Sequence, residues 1–577
     1  MKNYFLLLFF ASNFYLGAQN NSCPEDPPVN PWLAESAWPT FHRNNAAQAS
    51  TCIAGPVTGD ELVIKSRTHM SGSTSPWVYL SDMYPNGERV LVQSNSTHFF
   101  KHIDTPEGIH TIDSLRIDFD GITSFGFAFI QAKDNKWFVP DPKYNPSQDE
   151  YSRIIKIEDS DPNDPYSELV ETEVFSFEGT PVNKVSHLML NFDGHLVFTG
   201  DTDETNNVAH VGILDQDLNI LDILEYSTYP DEIVSHNSSP IENDNSWYLV
   251  TTHRLIKFGW DGNQVSIAWE AAYDFVNDGP TGIWAEGSGT TPTFLGYGSD
   301  EDKLVVVADG HNQNNLVGFW RELPPGWTGI PGQDIRFADS IVIDAAQASN
   351  NQFQSIENSP TAFGYGIAIA QYNGFLGYDC ENDKGVQKFQ WNTETNTFES
   401  QWINEEINMN GVLTYSEGSN LVYSSGKEAD CNYYMYGLDW NTGEIAFKHL
   451  LGPEGTFFDD PYYDAGNNTI IDENGDLYFP GGASLNKLEK TNTLGVTVNE
   501  LQKKIILSPN PARNFIKIRS RLNDKIEEYQ ILDASGKVIR KRKFFSKRIF
   551  ISNLAEGLYF MKIRSGNDTI VKRFIKR

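Results

Sequence analysis

The stretch "YYMYGLDWNTGEIAFKH" occupies residues 433–449. Two aromatic and apolar runs flank its turn residues "NTG", and an Asn/Asp-Gly type turn between such runs is a strong β-hairpin signal. Residues 253–270, "HRLIKFGWDGNQVSIAWE", have the same form. The two stretches therefore predict antiparallel hairpins and favour a fold built from β-strands.

Short strands recur in a fixed order through the same part of the chain. Several follow a Ser/Thr-Pro step whose prolines are residues 76, 240, 292 and 360. Proline at the first residue of a strand removes no ladder hydrogen bond. A second strand follows several of these steps, in residues 192–201, 300–310 and 473–482. First strand, second strand and hairpin together make one four-stranded propeller blade.

The spacing of these units predicts the fold class. The gaps between the four prolines are 164, 52 and 68 residues, and the longest gap equals about three units of about 55 residues. We expect an all-β chain with a β-propeller over residues 37–489, which has room for seven or eight blades. Two stacked sandwiches are the alternative, but they would not need a recurring unit of that length.

The beginning of the chain has the parts of a secretory signal peptide. Lys2 supplies a positive charge, residues 5–11 are apolar, and "LGAQ" at residues 16–19 offers a small-residue cleavage site. We expect a signal peptide over residues 1–18 and an N-terminal extension over residues 19–36. No later run approaches eighteen apolar residues, so the sequence predicts no transmembrane segment.

The chain has four cysteines, Cys23, Cys52, Cys380 and Cys431. An exported protein can form disulfides, and four cysteines allow three connectivities. Sequence separation favours Cys23–Cys52 and Cys380–Cys431. Zinc binding is disfavoured, because no two cysteines have the spacing of zinc ligands.

The charge of the chain is unevenly distributed. Residues 501–577 hold 20 of the 44 Lys+Arg and 6 of the 77 Asp+Glu, a net charge of +14, which leaves −47 for residues 1–500. Such an acidic body repels nucleic acid and disfavours anionic glycans. The acidity has two readings: solubility in salty water, or acidic loops that hold calcium.

The basic tail alternates apolar and charged residues with period two. Four runs, at residues 514–520, 527–544, 547–566 and 569–577, predict the strands of a small β-sandwich. The motifs "LSPNPARNFIKI", "YQILDASGKVI", "NLAEGLYFMKI" and "VKRFIKR" resemble the type A C-terminal sorting domain of the type IX secretion system of Bacteroidetes. The resemblance covers residues 505–577, and residues 490–504 are the predicted linker. A carbohydrate-binding sandwich is the alternative.

This resemblance implies a route for the whole chain. It implies an immunoglobulin-like sandwich, passage through the periplasm, and handling by the type IX secretion machinery and a surface sortase. The protein would then be secreted or held on the outer-membrane surface.

The body of the chain is similar to quinoprotein-like (PQQ-repeat) propellers in two places. These are "AWPTFHRNNAAQAS" at residues 37–50 and "GLDWNTGE" at residues 437–444. The resemblance implies the propeller fold. It does not extend to the cofactor, because no adjacent cysteine pair or run of family ligands appears, so we do not expect bound PQQ.

No catalytic motif stands out in the sequence. Propeller sites lie at the mouth of the channel, where loops lead into the innermost strands. The candidate ligand-binding or catalytic residues beside the predicted first strands are His187, His236, Asn237, Glu286, Asn358 and Asn410, with His69 as a further imidazole. A second group is His253, Arg254, Arg321 and His311, which lies in a long polar turn. Each side chain could instead cap a turn.

Three functions compete, and the sequence leaves enzymatic activity open. Binding of an extracellular ligand or glycan is favoured. A propeller lyase or hydrolase acting on polysaccharide is second, with His187 or His236 as base, Tyr365 as acid and Arg254 neutralising a uronate. A hydrolase would need two carboxylates, and only Glu286 is a candidate. A quinone-dependent oxidoreductase is third. The lyase requires that His187, His236 and Arg254 meet at one channel mouth.

Overall fold

In the computed structural model the chain divides into two compact units, Met1–Thr491 and Asn492–Arg577. The structure describes residues 26–58, 62–68, 77–95, 97–117, 129–235, 238–273, 288–297, 301–310, 314–347, 356, 358–371, 385–409, 411–453, 468–481, 484–490, 505–508, 512–520, 526–533, 537–544, 547–565 and 568–577. The predicted signal peptide and residues 491–504 of the predicted linker lie outside these ranges.

The described part of the first unit forms eight sheets, and most strands pair with the next strand in the chain. Sheet 1 contains Val78–Leu80, Leu91–Ser94, His98–Thr105 and Gly108–Arg116, and sheet 2 contains Ile130–Ala132, Lys136–Asp141, Arg153–Asp159 and Leu169–Ser176. Sheet 3 contains Val185–Leu190, Leu196–Gly200, Val208–Leu214 and Ile220–Ser227, and sheet 4 contains Trp247–Val250, Arg254–Trp260 and Val265–Ala272.

The other four sheets repeat the arrangement. Sheet 5 contains Thr293–Leu295, Leu304–Ala308, Asn315–Trp320 and Phe337–Val342, and sheet 6 contains Thr361–Phe363, Gly366–Ala370, Val386–Asn392 and Thr397–Asn404. Sheet 7 contains Thr414–Ser416, Leu421–Lys427, Asn432–Asp439 and Ile445–Pro453, with Ser50–Thr51 added in parallel to the first. Sheet 8 contains Ile470–Ile471, Leu477–Pro480, Ser484–Lys490 and Leu62–Thr68.

Apolar side chains join each sheet to the next. Buried clusters span successive sheets, and they include the pairs Val92 and Val139, Phe138 and Phe198, Val211 and Ile256, Tyr248 and Phe294, Ile367 and Leu304, Ala368 and Tyr436, Tyr423 and Phe479, and Leu485 and Val78. Burying one such side chain contributes ~1.5–3 kcal/mol. Because the last pair joins sheet 8 to sheet 1, the sheets form a closed ring, and the predicted all-β propeller is confirmed.

The two ends of the first unit complete the same sheet. Leu62–Thr68 pairs antiparallel with Ser484–Lys490, from Leu62 opposite Lys490 to Thr68 opposite Ser484. The outer strand of sheet 8 therefore comes from the N-terminal part of the chain, and its three inner strands come from the end of the propeller.

The two predicted hairpins are present in sheets 4 and 7. In sheet 7 the turn begins at Asp439, whose Oδ1 accepts hydrogen bonds from the backbone N–H groups of Asn441 and Thr442, both at 2.9 Å. Gly443 has a φ of 73°, a left-handed conformation that favours glycine. In the strand before this turn, Gly437 leaves room for Phe447, because a Cβ there would lie 2.4 Å from the ring.

The Ser/Thr-Pro steps at residues 240, 292 and 360 each lead into the first strand of a sheet. Ile241 pairs with Trp247 at the edge of sheet 4, and Thr293–Leu295 and Thr361–Phe363 begin sheets 5 and 6. Sheets 1, 2 and 3 lie within the gap of 164 residues, which explains its length. Pro76 lies outside the described residues.

The second unit is a small sandwich of two sheets. One contains Ile505–Ser508, Phe515–Ser520 and Arg548–Phe550, and the other contains Val538–Lys543, Ile526–Asp533, Gly557–Ser565 and Asp568–Lys576. Ile516, Ile531, Met561 and Phe574 are fully buried in one apolar cluster. Alternate residues supply this core, as the period-two pattern predicted.

Helix is scarce in the described part of the chain, which has the short 3-10 helices Pro146–Gln148 and Asp344–Gln347. None of the helices described has the length and apolar character that crossing a membrane would require.

Candidate functional site in the propeller channel

An N-terminal loop lies on the axis of the ring. Backbone N–H groups of five first strands or strand edges donate hydrogen bonds of 2.8–3.0 Å to carbonyl oxygens of this segment, in the pairs Leu80 to Trp38, Ile241 to Asn45, Phe294 to Ala46, Ala362 to Gln48 and Tyr415 to Ala49. The donors belong to sheets 1, 4, 5, 6 and 7. Residues that reach so many sheets within a dozen positions must lie inside the ring. We call residues 40–50 the axial loop.

The axial loop is a compact turn held in an uncommon backbone conformation. The carbonyl oxygen of His42 accepts hydrogen bonds of 2.9 Å from the N–H groups of both Asn44 and Ala49. His42 and Arg43 have φ angles of 54° and 73°. Left-handed residues other than glycine each cost about 1–3 kcal/mol and persist where their surroundings hold them. Arg43 provides such a hold, because its Nη1 lies 2.7 Å from Asp26 Oδ1.

The N-terminal segment crosses the channel at the end where the first strands finish, which we call the trailing end. Leu80, Ala132 and Leu190 are the last residues of the first strands of sheets 1, 2 and 3. Leu33 pairs with Ala132, and the side chain of Asn45 donates to Leu190 O at 3.0 Å. The opposite end, where the first strands begin, is the leading end. Among the described candidate residues, Asn358, His253 and Arg254 lie at the leading end, His187 lies in the first half of its strand, and Tyr365 and Arg321 lie at the trailing end.

Side-chain hydrogen bonds join neighbouring sheets near the leading end. They connect His187 to Ser239, Ser359 to Thr291, Thr361 to Leu413, Thr414 to Thr469, and Asn468 to Val78. Each bond links the first strand of one sheet, or the loop before it, to the same region of the next sheet. We call this set the inter-sheet belt. The hydroxyl groups of the Ser/Thr-Pro steps therefore have a structural use.

His187 and Asn358 are buried within these contacts. The Nε2 atom of His187 lies 3.2 Å from Ser239 Oγ, and the amide of Asn358 donates to Gln371 O at 3.3 Å. Both side chains are engaged by the fold itself. Ligand contact by either residue stays a prediction.

Arg254 is enclosed by acidic groups on the outer part of the ring. Its Nε lies 2.9 Å from Glu232 Oε1 and its Nη1 lies 2.5 Å from Glu270 Oε2. Its Nη2 donates to Ser227 O at 2.7 Å. Glu270 and Ser227 lie on the outermost strands of sheets 4 and 3, whereas His187 lies on a first strand. The structure does not bring Arg254 and His187 together.

Tyr365 lies in the turn between the first two strands of sheet 6, at the trailing end. Its hydroxyl donates to Asp302 O at 3.2 Å. The described candidates for base, acid and uronate-neutralising group, His187, Tyr365 and Arg254, therefore lie in three separate places. Of the second group, His253 Nδ1 contacts Thr252 Oγ1 at 2.9 Å, and Arg321 Nε donates to Leu304 O at 3.0 Å.

The remaining predicted site residues, His69, His236, Asn237, Glu286, His311 and Asn410, lie outside the described residues. Binding of calcium stays a prediction. Within the described ranges no group of three or more His, Cys, Asp and Glu is arranged to hold a metal ion.

The positions of two cysteines exclude one of the three connectivities. Cys52 lies beside the turn at Gly418, because a Cβ added to Gly418 would lie 2.4 Å from the carbonyl oxygen of Cys52. Cys431 lies in the turn after the strand Leu421–Lys427, at the opposite end of that strand. Seven strand residues span about 20 Å, and a disulfide needs Cα atoms about 4–7 Å apart. Cys52 and Cys431 are not partners, and the pairings with Cys23 and Cys380 stay predictions.

Sequence reasoning did not single out His42, which lies in the middle of the axial loop. Its side chain is fully buried, and its ring centroid lies 3.6 Å from that of Phe41 and 6.5 Å from that of Trp77. Burial lowers the pKa of His42 to about 3, so the imidazole is neutral. Neither ring nitrogen has a hydrogen-bond partner among the residues the structure describes. His42 lies in the stretch "AWPTFHRNNAAQAS", which the sequence marked only through its resemblance to quinoprotein-like propellers and not as a site.

The tail has a clear family assignment. Residues 507–577 match the Secretion system C-terminal sorting domain. The predicted type IX sorting domain is therefore confirmed, and the chain is a secreted or cell-surface protein.

Three quarters or more of the chain is similar to several proteins at low identity. It is 25% identical over 465 residues to an uncharacterized protein of Archaeoglobus fulgidus, covering 75% of this chain and 84% of that one. It resembles a europium-containing methanol dehydrogenase with a TM-score of 0.43 and 10% identity, over 77% of this chain and 89% of that chain. It resembles PorZ, a surface component of the type IX secretion system of Porphyromonas gingivalis, with a TM-score of 0.23 and 11% identity, over 86% and 75%. Our assignment of the fold depends on the ring of sheets and not on these likenesses.

Proposed function

We propose that this exported propeller binds an extracellular ligand, with a neutral glycan as the leading class, at the leading end of its channel. The observation that carries the proposal is the N-terminal segment, whose residues Asn30 and Leu33 contact the trailing ends of sheets 3 and 2. A ligand would therefore approach from the leading end. The inter-sheet belt lines that approach with hydroxyl, amide and imidazole groups, which suit recognition of sugar hydroxyls.

Charge supports a neutral ligand. Residues 1–500 have a net charge of −47, and such a surface repels polyanions at low and moderate salt. The cation predicted to neutralise a uronate, Arg254, is already paired with two carboxylates. Binding without chemistry thus agrees better with the described residues than a lyase does.

The sorting tail supports an extracellular site of action. Its match over residues 507–577 assigns the chain to export, so glycans of the cell surface or the surrounding medium are accessible to the propeller.

The test uses the full-length protein and a panel of polysaccharides. The panel contains neutral β-glucan, mannan and xylan, together with the uronates alginate and pectate. Affinity gel electrophoresis measures binding, while reducing ends and unsaturated-uronate absorbance report cleavage. We expect at least one neutral polymer to bind, with uronates at least tenfold weaker and no cleavage. Binding to no member of the panel, or release of new ends, would refute the proposal.

A matched pair of variants locates the site. Ser238 is half-buried beside the belt residue Ser239, and Ser266 is exposed on the outermost strand of the same sheet. Ser238→Tyr should weaken binding at least tenfold by obstructing the leading end, whereas Ser266→Tyr should leave it within twofold. Equal affinities for the two variants would place the site elsewhere.

A further inference from the structure

An exposed tyrosine lies at the leading end, where sheets 3 and 4 meet. Tyr229 follows the outermost strand of sheet 3, which ends at Ser227, and it is 50% exposed. Its ring centroid lies 5.7 Å from that of His253, with 29° between the ring planes, and 4.9 Å from Arg254 Cζ. Both neighbours belong to sheet 4. These contacts cover part of the tyrosine and leave half of its surface open to solvent.

The backbone at Tyr229 forms a tight turn. The N–H of Glu232 donates to Tyr229 O at 3.1 Å, and the N–H of Tyr229 donates to Glu232 Oε2 at 2.7 Å. Pro230 and Asp231 occupy the central positions, and Asp231 has a φ of 65°, as the third residue of a type II turn does. The two hydrogen bonds and the proline therefore fix the direction in which the tyrosine leaves the backbone.

The carboxylate that closes this turn also holds Arg254 near the ring. The side chain of Glu232 is fully buried, and its Oε1 lies 2.9 Å from Arg254 Nε. A buried ion pair often adds no net stability over apolar side chains of similar size. An exposed aromatic ring alone needs no explanation, but this one is fixed by a turn, a stacked imidazole and a buried ion pair. Fixing a ring before binding lowers the entropy cost of the contact that it makes.

We propose that Tyr229 is an outer subsite of the leading end, where its ring packs against the C–H face of one pyranose residue of a neutral polysaccharide. The inference rests on the proposed function, because it concerns the same polymer. It extends that function by naming a contact residue and the kind of contact that the residue makes.

The groups around the ring favour a neutral sugar. An aromatic face packs against apolar C–H groups and requires no charge on the ligand. Asp231 is exposed and Glu270 is 44% exposed, while Arg254 is already paired with Glu232 and Glu270. The local charge is therefore negative, so a uronate would be repelled from this place and a neutral pyranose would not.

The loop that carries Tyr229 continues to the inter-sheet belt. It follows the leading end of sheet 4, where the N–H of Thr252 donates to Ile233 O at 2.9 Å. Ser239, ten residues after Tyr229, contacts His187 in the belt. Ten residues span at most about 35 Å. A polymer bound at the channel mouth can therefore extend outward over the tyrosine.

The test compares full-length wild type with Tyr229→Ala, Tyr229→Phe and Tyr166→Ala. Tyr166 is the matched control, because it is also 50% exposed but lies between the two outer strands of sheet 2, at the trailing end. The probes are neutral β-glucan, mannan and xylan, measured by affinity gel electrophoresis. We expect Tyr229→Ala to bind at least threefold more weakly than wild type, and Tyr166→Ala to stay within twofold.

The phenylalanine variant identifies the ring as the group that binds. Tyr229→Phe keeps the ring and should restore affinity to within twofold of wild type. A loss of less than threefold for Tyr229→Ala, or an equal loss for Tyr229→Phe, would overturn the inference.

The outcomes separate this subsite from the function on which it rests. If a neutral polymer binds wild type and the binding is sensitive to Ser238→Tyr but not to Tyr229→Ala, the subsite is refuted and the proposed function stands. If no neutral polymer binds wild type, both fail.

A second measurement needs no variant. Wild-type protein is treated with tetranitromethane, with and without saturating polymer, and nitrated tyrosine peptides are quantified by mass spectrometry. We expect bound polymer to slow nitration of Tyr229 at least threefold and to leave Tyr166 unchanged. Nitration of Tyr229 at the same rate with and without polymer would contradict the proposal.

Discussion

Replacing Glu232 by glutamine should destabilise the propeller by about 3–5 kcal/mol, because it leaves a buried arginine short of its main partner. The side chain of Glu232 is fully buried, and that of Arg254 is 7% exposed. Glu232 Oε1 accepts from Arg254 Nε at 2.9 Å and from Thr251 Oγ1 at 2.6 Å, and its Oε2 accepts from Arg254 Nη2 at 3.1 Å. Glutamine keeps the shape but loses the charge and turns an N–H₂ group toward these donors. The remaining partner, Glu270, is 44% exposed and compensates only in part.

Urea-induced unfolding followed by tryptophan fluorescence measures this loss. All 13 tryptophans precede residue 441, so the signal reports the propeller and not the sorting tail. That separation matters, because a chain of two units need not unfold in one step. The matched control is Glu322→Gln, whose carboxylate is 64% exposed and 2.7 Å from Lys303 Nζ. We expect the control to lose less than about 1 kcal/mol, as exposed pairs do.

The double variant Glu232→Gln/Arg254→Met distinguishes a stranded charge from a general loss of packing. If the stranded guanidinium is the cause, removing it should recover about half of the loss or more. The reasoning is refuted if Glu232→Gln costs less than about 1 kcal/mol, or if the double variant is no more stable than the single one. A loss of polysaccharide binding by a stable Glu232→Gln protein would instead return Arg254 to the functional site.

Four further outcomes are expected. Burial raises the pKa of Asp472 to about 6, so the cost of ionising it in the folded protein grows from about pH 4 and is complete above about pH 6. Wild type should therefore gain about 1–3 kcal/mol of stability between pH 7.5 and pH 5 in urea titrations, and Asp472→Asn should not. Burial lowers the pKa of His42 to about 3, so protonation of this imidazole favours the unfolded state as the pH falls from 6.5 toward 3. Wild type should therefore lose about 3 kcal/mol of its unfolding free energy at pH 4 relative to pH 7, and His42→Phe should not. Thr414→Val should cost about 1–2 kcal/mol by removing one bond of the inter-sheet belt, measured by urea unfolding. Peptide mapping of the unreduced protein should find Cys52 and Cys431 in two different disulfides, one with Cys23 and the other with Cys380, and should find no disulfide between Cys52 and Cys431.

The hairpins and first strands could be predicted because their signals are local. The turn at Asp439 needs only an acceptor side chain and a glycine within five positions, and both are visible in the sequence. The Ser/Thr-Pro steps were equally local. Their spacing then supplied the repeat, and a repeat of that length predicts a ring of similar sheets.

The candidate site was harder to predict because its contacts are distant in sequence. The sequence favours His187 as a site residue because it lies near the start of a strand, but the hydroxyl that it contacts belongs to Ser239, beside the next sheet. The sequence likewise offers Arg254 as a cation for a ligand, but Glu232, 22 residues earlier, is bonded to it in the fold. A sequence pattern shows that a polar residue is near a strand; only the packing of sheets shows whether its side chain already has a partner.

The N-terminal region was the part of the propeller that the sequence predicted least well. The sequence predicts an N-terminal extension over residues 19–36, and within it Leu33 pairs with Ala132 of sheet 2 and Asn30 donates to Leu190 O of sheet 3 at 2.9 Å. Further along, Leu62–Thr68 completes sheet 8 with residues more than 400 positions later. Such a segment shows no sequence repeat, because its residues contact several different sheets and do not form a unit like the others. Residues 40–50 lie outside the repeat and are buried at the centre of the ring, and His42 is one of them. A function that the repeated sheets do not share would therefore be expected in this segment.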